Sequence, residues 1–367
     1  SASLTAGFSY SKNSSKAESS VPVVSAVRAG QSVVIDAVSG DLNGTGAQVV
    51  AGRDALGLPN LSGSETAGDI TLKAGKNINL ESAVATSSSS QKNSGVSAGV
   101  GIGGGITIGP SGVSGGGGPV AFAGGSKGSS NDNATAHVNS HVAGTGDVTL
   151  KSGNDTSLKG ATVTGKSVTV DVGGDLKIES QVDTITAKVK QTSGGITITS
   201  TGFEASGSKQ KATGDVAVVN EQSGIHAGSG GFDINVEGTT SLKGGVVTSD
   251  ATAEKNRIET GKLEWQDVDT HSKWKAESYS GMISSGGATM TPPQKAGESE
   301  TGKALTAVSP GTIVITDPSG QTQDLDDLRR DTANTNTSLP GLPDLQNILQ
   351  QQYKTQEAYQ EASAIMA

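Results

Sequence analysis

Apolar and polar residues alternate along much of this chain. The segment GDITLKAG at residues 68–75 returns as GDVTLKSG at residues 146–153, with an apolar residue at every second position of the central strand. A period of two is typical of a strand with one buried and one solvent-exposed face. Corners rich in Gly, Asp and Asn interrupt the pattern before any of these strands grows long. The pattern therefore predicts many short strands joined by tight turns.

Internal repeats predict how these strands assemble. Besides the segment above, SLKGATV at residues 157–163 returns as SLKGGVV at residues 241–247. A single strand group cannot bury its apolar face, but groups stacked about 4.8 Å apart cover one another. The repeats thus predict an all-β solenoid.

Three segments depart from the short-strand pattern and are predicted to be β-hairpin excursions, near residues 1–20, 85–142 and 188–213. In residues 95–109 the even positions are mostly Val and Ile, and the odd positions are Gly, Ser or Thr. A turn signal follows at residues 110–112, and a weaker apolar strand returns after it. The composition indicates long strands with one apolar edge.

These excursions are long enough for contact with a membrane, because strands that cross a bilayer need about 9–11 alternating residues. We hypothesise that their apolar side chains contact or enter a membrane; the alternative is an ordinary β-arm packed on the solenoid. The candidate membrane-contact residues are Val96, Val100, Ile102, Ile106, Ile108, Val120, Phe122, Ile196, Ile198 and Phe203.

The last part of the chain has a different character. Residues 291–310 are predicted to be a linker from their composition, and residues 311–367 a short strand followed by helices. The final helix is predicted from Pro343 onward, with no partner in the chain that the sequence identifies. Trp265 and Trp274 are expected to cap the end of the solenoid core.

Motifs that resemble enzyme sites are explained by composition. A dinucleotide-type glycine pattern begins at Gly99 and a nucleophile-elbow pattern lies at residues 112–116, but both fall in a glycine-rich tract with no helix after it. His137 and His141 lie in an extended segment without the Glu of a zinc protease. No catalytic, cofactor-binding or metal-binding residue is predicted, and no cofactor.

Composition and charge narrow the function classes. The chain has no Cys, which excludes disulfides and thiol chemistry, and a net charge of -9, which disfavours a nucleic-acid partner. It has no signal peptide and no apolar run as long as a membrane-spanning helix, and we expect it to be an internal part of a longer protein.

Several longer segments resemble a known family. They are VPVVSAVRAGQSVVIDAVSGDLNGTGAQVVAG at residues 21–52, GGFDINVEGTTSLKGGVVTSDATAEKNRIETGKLEWQDV at residues 230–268 and GTIVITDPSGQTQDLDDLRRDT at residues 311–332. These resemble the two-partner-secretion exoproteins of the filamentous haemagglutinin type, above all the second haemagglutinin repeat region of CdiA-type contact-dependent growth inhibition effectors. No VENN motif is present, so the pretoxin boundary and the toxin are not expected in this chain.

The resemblance implies a right-handed parallel β-helix over residues 1–290, leading toward an absent pretoxin and toxin region. It implies a secreted, cell-surface, non-enzymatic module that helps a C-terminal toxin across the outer membrane of a target bacterium. The implied partners are that membrane, through lipid or an outer-membrane protein, and the secretion transporter of the parent protein, with no nucleic acid and no small-molecule substrate. The alternative function is the adhesive stalk of a haemagglutinin-type adhesin.

Overall fold

The computed structural model describes residues 2–52, 68–109 and 112–366, and only the backbone of residues 2–5, 102–109, 112–117 and 361–366. Strands make up most of the described chain, so the predicted all-β class is confirmed. The helical elements are single 3-10 turns at Ala253–Lys255 and Leu325–Asp327 and one α-helix, α1, at Leu345–Met366.

The strands of the described chain fall into two sheets. The first half contains β1 (Ala2–Ser20), β2 (Ala26–Ala29), β3 (Val33–Ala37), β4 (Leu42–Thr45), β5 (Gln48–Ala51), β6 (Ile70–Ala74), β7 (Ile78–Glu81), β8 (Ala83–Gly109), β9 (Gly112–Val138), β10 (Ser140–Gly144), β11 (Asp147–Ser152) and β12 (Thr156–Lys159). The second half contains β13 (Ala161–Val172), β14 (Leu176–Glu179), β15 (Asp183–Thr199), β16 (Gly202–Val218), β17 (Gly224–Lys243), β18 (Val246–Ser249), β19 (Arg257–Gln266), β20 (Val268–Ser284), β21 (Gly287–Met290), β22 (Gln294–Ala304), β23 (Ala307–Val308) and β24 (Thr312–Ile315).

Sixteen short or segmented strands form a curled parallel sheet. Three consecutive strands, such as β5, β6 and β7, each pair with the corresponding strand of the groups before and after them in the chain. The result is three ladders of parallel strands, in which long strands such as β17 contribute to all three. Parallel pairing places equivalent residues directly above one another, so each buried position becomes a column.

These columns form the main hydrophobic core. The central column of each ladder is almost entirely Val, Ile or Leu. The three columns are Val27, Val49, Val142, Val163, Ile225, Val247 and Val308; Ile35, Leu72, Leu150, Val170, Ile234, Ile258 and Ile313; and Gly44, Leu80, Leu158, Ile178, Leu242 and Trp265. The core therefore consists of the residues in which the sequence shows its period of two.

Glycine occupies equivalent corners of this sheet. Gly46, Gly160 and Gly244 each follow a strand of the third ladder and precede one of the first, and each has a positive φ, of 59°, 67° and 57°. L-residues with a side chain rarely adopt this conformation, whereas Gly does so without steric cost. The repeated Gly therefore allows the chain to turn sharply from one group of strands into the next.

The last strand of the third ladder is capped by side chains. The Gln321 side-chain carbonyl accepts a hydrogen bond from the Leu263 N–H at 2.9 Å, and its amide donates to the Leu263 carbonyl at 2.8 Å. Gln323 makes the same two contacts with Trp265, at 2.8 and 3.0 Å. The two amides replace the backbone of a further strand, so this edge has its hydrogen-bonding groups satisfied.

The second sheet is antiparallel and has eight strands. Its long members pair side by side in the order β1, β8, β9, β15, β16 and β20, with β21 and β22 both pairing with β20. The hairpin of β8 and β9 is in register from Ala83 opposite Val138 to Gly109 opposite Gly112. The three predicted excursions therefore lie within one continuous sheet rather than projecting separately.

The linker prediction for residues 291–310 is wrong. Most of this range forms β22, which pairs with β20 in the antiparallel sheet, and β23, which pairs with β18 in the parallel sheet. Composition suggested a linker because the segment is polar, but a strand exposed on a sheet surface can be equally polar. The helix begins at Leu345 rather than Pro343, because Asp344 caps it by accepting hydrogen bonds from the N–H groups of residues 346 and 347.

Truncation of a core column should destabilise the parallel sheet. Leu158 is fully buried between Leu80 and Ile178, and we expect Leu158→Ala to lower the free energy of unfolding by about 2–5 kcal/mol. The exposed Val38 is the matched control, and Val38→Ala should cost less than about 0.5 kcal/mol. Chemical denaturation measures both; equal midpoints for the two variants would contradict the stacked core.

Candidate functional site

The antiparallel sheet has two faces that the pairing register defines. Directly opposite residues of an antiparallel pair lie on the same face, and successive residues of one strand lie on opposite faces. Following the register from β1 to β20 therefore gives rows of side chains that cross the sheet on one side. One such row contains Phe8, Ala98, Ala123, Ile196 and Ala205, and it continues to Ile283.

Helix α1 covers part of the reverse face. Leu345 and Leu349 pack against Val189, Ala212 and Ala276, and all five side chains are buried. The register places the three strand residues in a single row, on the face opposite to Ile196. The helix thus has a partner within the chain, which the sequence did not identify.

Polar side chains also fasten the helix to the sheet. Gln356 is buried and donates to the Ser278 carbonyl at 3.0 Å, while the Ser278 hydroxyl donates to the Gln356 side-chain carbonyl at 2.7 Å. The Gln210 amide donates to the Leu349 carbonyl at 3.1 Å. These bonds explain why the helix has only a weak apolar stripe, since its buried side is partly amide.

The expectation that both Trp residues cap one core is wrong for Trp274. Trp265 packs against the core of the parallel sheet, but Trp274 lies in β20 and packs against the helix cluster. The alternation changes phase between Trp265 and Val268, where the chain passes from one sheet to the other, but it also changes phase within β19, between Ile258 and Leu263. A phase shift therefore does not by itself mark the passage between the sheets.

The face of the antiparallel sheet opposite to the helix carries an uncovered apolar surface. Its larger members are exposed over 39–77% of their area. The apolar surface consists of Phe8, Tyr10, Val96, Val100, Ile196, Ile198, Phe203, Tyr279, Ile283 and Met290. Contiguous apolar area of this kind on a protein surface is typical of an interaction site.

The structure brings five of the predicted membrane-contact residues together on this surface: Val96, Val100, Ile196, Ile198 and Phe203. Val120 and Phe122, also predicted, lie on the reverse face and are half-buried. The Phe122 ring lies over Gly99, where an added Cβ would be 2.7 Å from it. These two residues therefore do not share the surface that holds the other five, and their contact with a membrane stays a prediction. The side chains of Ile102, Ile106 and Ile108 lie outside the described residues.

Five members of the apolar surface were not among the predicted contacts: Phe8, Tyr10, Tyr279, Ile283 and Met290. Phe8 and Tyr10 have the period-two signal but lie 90 and 86 residues before Ala98 and Val96, their respective partners in β8. Ile283 and Met290 lie in β20 and β21, beyond the three predicted excursions. Only the register of the folded sheet places these side chains beside Ile196.

A belt of lysines crosses the same face next to the apolar surface. Three successive rows contain ten exposed lysines and one acidic residue, Glu277. The lysine belt consists of Lys12, Lys127 and Lys209 in the first row, Lys92, Lys190, Lys211 and Lys295 in the second, and Lys16, Lys188 and Lys275 in the third. The net charge of -9 concealed this basic face, because the lysines are scattered through the sequence.

A row of glycines lies between the lysine belt and apolar side chains such as Val100 and Ile198. Gly125, Gly194, Gly207 and Gly281 lie opposite one another in consecutive strands, in the same row as Val96. Two of these glycines, Gly125 and Gly194, line an open trough of about 1480 Å³. Tyr10, Val96, Lys12, Lys92, Lys127 and Lys190 are among the residues that line the trough.

Histidines pair with carboxylates at the ends of strands in both sheets. His137, at the end of β9, donates from its backbone N–H and its Nδ1 to Asp183 Oδ1, at 2.7 and 2.9 Å. His141, in β10, pairs through Nε2 with Glu221 Oε1 at 2.8 Å. The two histidines therefore bind different carboxylates, and among the described residues no group of three or more His, Cys, Asp or Glu side chains is placed to hold a metal ion.

The His141–Glu221 pair shifts the pKa of both groups. The hydrogen bond to Glu221 raises the pKa of His141 above its usual 6.5, although partial burial opposes the shift. The same bond lowers the pKa of Glu221 below its usual 4.5. Burial lowers the pKa of the neighbouring His226, which favours its neutral form. The pair thus favours the charged forms of both His141 and Glu221.

Comparisons with known proteins agree on one family. A family model described as hemagglutinin repeat matches residues 6–195. A toxin, CdiA, of Escherichia coli is 32% identical over 99% of this chain and 12% of its own length. The 16S rRNA endonuclease CdiA of Enterobacter cloacae subsp. cloacae is 35% identical over 92% of this chain and 10% of its own length. The tRNA nuclease CdiA of Burkholderia pseudomallei is 41% identical over 41% of this chain and 13% of its own length.

The chain spans about a tenth of the length of these curated relatives. No solved structure matches it. Within the described residues, no helix combines the length and the apolar character that crossing a membrane requires.

Loss of the apolar anchors should release the helix from the reverse face. In a Trp265→Phe background Trp274 is the single Trp, and we expect Leu345→Ala with Leu349→Ala to shift its fluorescence to longer wavelength as water reaches the ring. The two truncations remove buried side chains at about 2–5 kcal/mol each. Lys354→Ala, on the exposed side of the helix, should leave the spectrum unchanged; an unchanged spectrum in the double variant would exclude the docking.

The His141–Glu221 pair should make stability depend on pH. Its contribution is complete between the usual pKa values of 4.5 and 6.5, is lost as pH rises through the raised pKa of His141, and is lost as pH falls through the lowered pKa of Glu221. Both groups are partly exposed, so we expect His141→Gln to destabilise the protein by less than about 1 kcal/mol near pH 5.5, and by less still near pH 9. Denaturation midpoints at the two pH values measure the difference; a cost independent of pH would rule out the charged pair.

Proposed function

This chain belongs to the hemagglutinin repeat family, and from that premise we propose that it is a delivery region of a contact-dependent growth inhibition effector. In this proposal the region is not catalytic. It associates with the outer membrane of a target cell and helps a C-terminal toxin, carried elsewhere in the parent protein, to cross it. The toxin and nuclease names of the relatives belong to those much longer proteins and come to this chain only as part of the proposal.

We further propose that the curled parallel sheet is a right-handed β-helix that serves as the scaffold of the region. The three ladders support this, because each group of three strands makes one circuit whose apolar columns meet in a common core. A rigid scaffold of stacked strands would hold the antiparallel sheet at a fixed distance from the surface of the secreting cell.

The observation that carries the proposal is the contrast between the two faces of the antiparallel sheet. The reverse face has a helix docked on it, whereas the opposite face leaves side chains such as Val100 and Phe8 about two-thirds exposed. Exposing this much apolar area to water costs free energy, and contact with lipid recovers that free energy. An adhesive stalk would need the parallel sheet but not this surface, so the surface favours delivery.

The partners follow from this proposal. The apolar surface would contact the outer membrane of the target cell, through lipid or an outer-membrane protein, and the parent protein would reach the cell surface through its own secretion transporter. A nucleic acid or a small-molecule substrate has no part in the proposed function.

Polar substitution of the apolar surface should impair toxin delivery. We expect Ile196→Asn, Ile198→Asn and Phe203→Asn together, in a full-length effector that contains this region, to reduce growth inhibition of recipients without immunity. Each change removes an exposed apolar group worth about 1 kcal/mol or more on transfer out of water. A competition assay measures the loss, and the amount of effector on the producing cells shows that secretion is intact.

The control is Val34→Asn with Val38→Asn, which alters two still more exposed valines, one in β3 of the parallel sheet and one in the turn after it. This control should deliver toxin normally. Full delivery by the triple variant would refute the role of the apolar surface.

A further inference from the structure

We propose that the face that carries the apolar surface and the lysine belt binds a membrane leaflet containing anionic, phosphate-bearing lipids. The lysines contact the phosphates, and the apolar side chains reach the acyl region beneath them. This inference rests on the proposed function for the membrane itself. It adds the class of lipid and the residues that select it.

The charge of this face is opposite to that of the chain. The protein as a whole carries a net charge of -9, yet the three rows of the belt contain ten lysines and only Glu277 as an acidic group. Among the described ion pairs, only Lys16 of the belt takes part in one, with Glu18 at 2.7 Å. The other nine lysines of the belt are exposed and take part in none of the described ion pairs, so their charge is available to an external anion.

The order of side chains along the strands matches the layers of a leaflet. In β8 the lysine belt ends at Lys92, and Val96 and Val100 follow on the same face. Rows two residues apart lie about 7 Å from one another, so the belt and the apolar surface are separated by roughly the depth of a headgroup layer. Tyr10 and Tyr279 lie at the boundary, the position that aromatic residues with a polar end prefer at a membrane interface.

The trough over the glycine row offers a place for a headgroup. Four lysines of the belt line it, Lys12, Lys92, Lys127 and Lys190, together with the aromatic ring of Tyr10. Its volume of about 1480 Å³ exceeds what one phosphate needs, so the trough has room for a larger, phosphate-bearing headgroup. Basic and apolar groups therefore converge on one amphiphile rather than on a simple anion.

Phosphates of a nucleic acid would also be attracted to the lysines. A nucleic acid, however, offers nothing to cover Val100, Ile196 and Phe203, which adjoin the belt and would stay exposed to water. A lipid leaflet satisfies both halves of the face, so the geometry favours lipid.

The test is the binding of this 367-residue chain to vesicles, measured by co-sedimentation. One set contains phosphatidylcholine only, and the other contains phosphatidylcholine mixed with phosphatidylglycerol. We expect tighter binding to the anionic vesicles, weakening as salt screens the charges. Because each lysine near an anionic leaflet contributes about fivefold in affinity, Lys12→Gln, Lys92→Gln, Lys127→Gln and Lys190→Gln together should weaken that binding on the order of a hundredfold or more.

The matched control removes four exposed lysines of the parallel sheet, by Lys73→Gln, Lys76→Gln, Lys159→Gln and Lys177→Gln, with the same change in total charge. It should bind like the unaltered chain. Circular dichroism of both variants shows whether the strands remain folded, and an unfolded belt variant is replaced by the four single substitutions, each expected to lose about fivefold.

Three results would overturn the inference. Equal binding to both kinds of vesicle would remove the lipid class but leave the membrane association of the proposed function intact. Equal losses in the belt variant and its control would show that total charge, and not this face, attracts the lipid. Binding of duplex DNA but of neither vesicle, lost in the belt variant, would make the belt a nucleic-acid site and would also count against the proposed function.

Discussion

Backbone hydrogen bonding between adjacent long strands fixes the whole candidate site. The long strands form hairpins, such as β8 with β9 and β15 with β16. Each hairpin also pairs with a long strand that is distant in sequence. Once β9 and β15 are in register, every second residue of both is assigned to one face. A slip of one residue in any strand would move its lysines and its apolar residues to the side that α1 covers.

The register is anchored where the long strands begin. Asp183 opens β15 and holds the backbone and ring of His137 at the end of β9, while its second oxygen accepts from Asn220 just after β16. Ser223 extends this junction by accepting from the N–H groups of Gly160 and Ala161 and donating to the Glu179 carbonyl. These contacts at the ends of the long strands thus fix the register of the antiparallel sheet.

The two faces of the antiparallel sheet differ in what covers them. Part of the reverse face is covered by α1, whose contacts are both apolar and amide, so the Ser278 hydroxyl beneath it keeps its hydrogen bond. The other face has no covering element in the described chain. Its larger apolar side chains are exposed, with glycines such as Gly125 and Gly194 between them and the lysines. The asymmetry distinguishes a face that carries α1 from a face that the described chain leaves open.

The sequence by itself determined the all-β class, the columns of Val, Ile and Leu in the parallel sheet and the existence of long apolar strands, because a period of two is a local property. Only the tertiary structure decided that the linker range is a strand, that Phe122 and Phe203 lie on opposite faces and that Phe8 and Ile283 share one surface. It also gathered lysines from residues 12 to 295 into one belt. The reason is physical: alternation fixes which residues of a strand share a face, but only long-range hydrogen bonds fix which faces of different strands coincide.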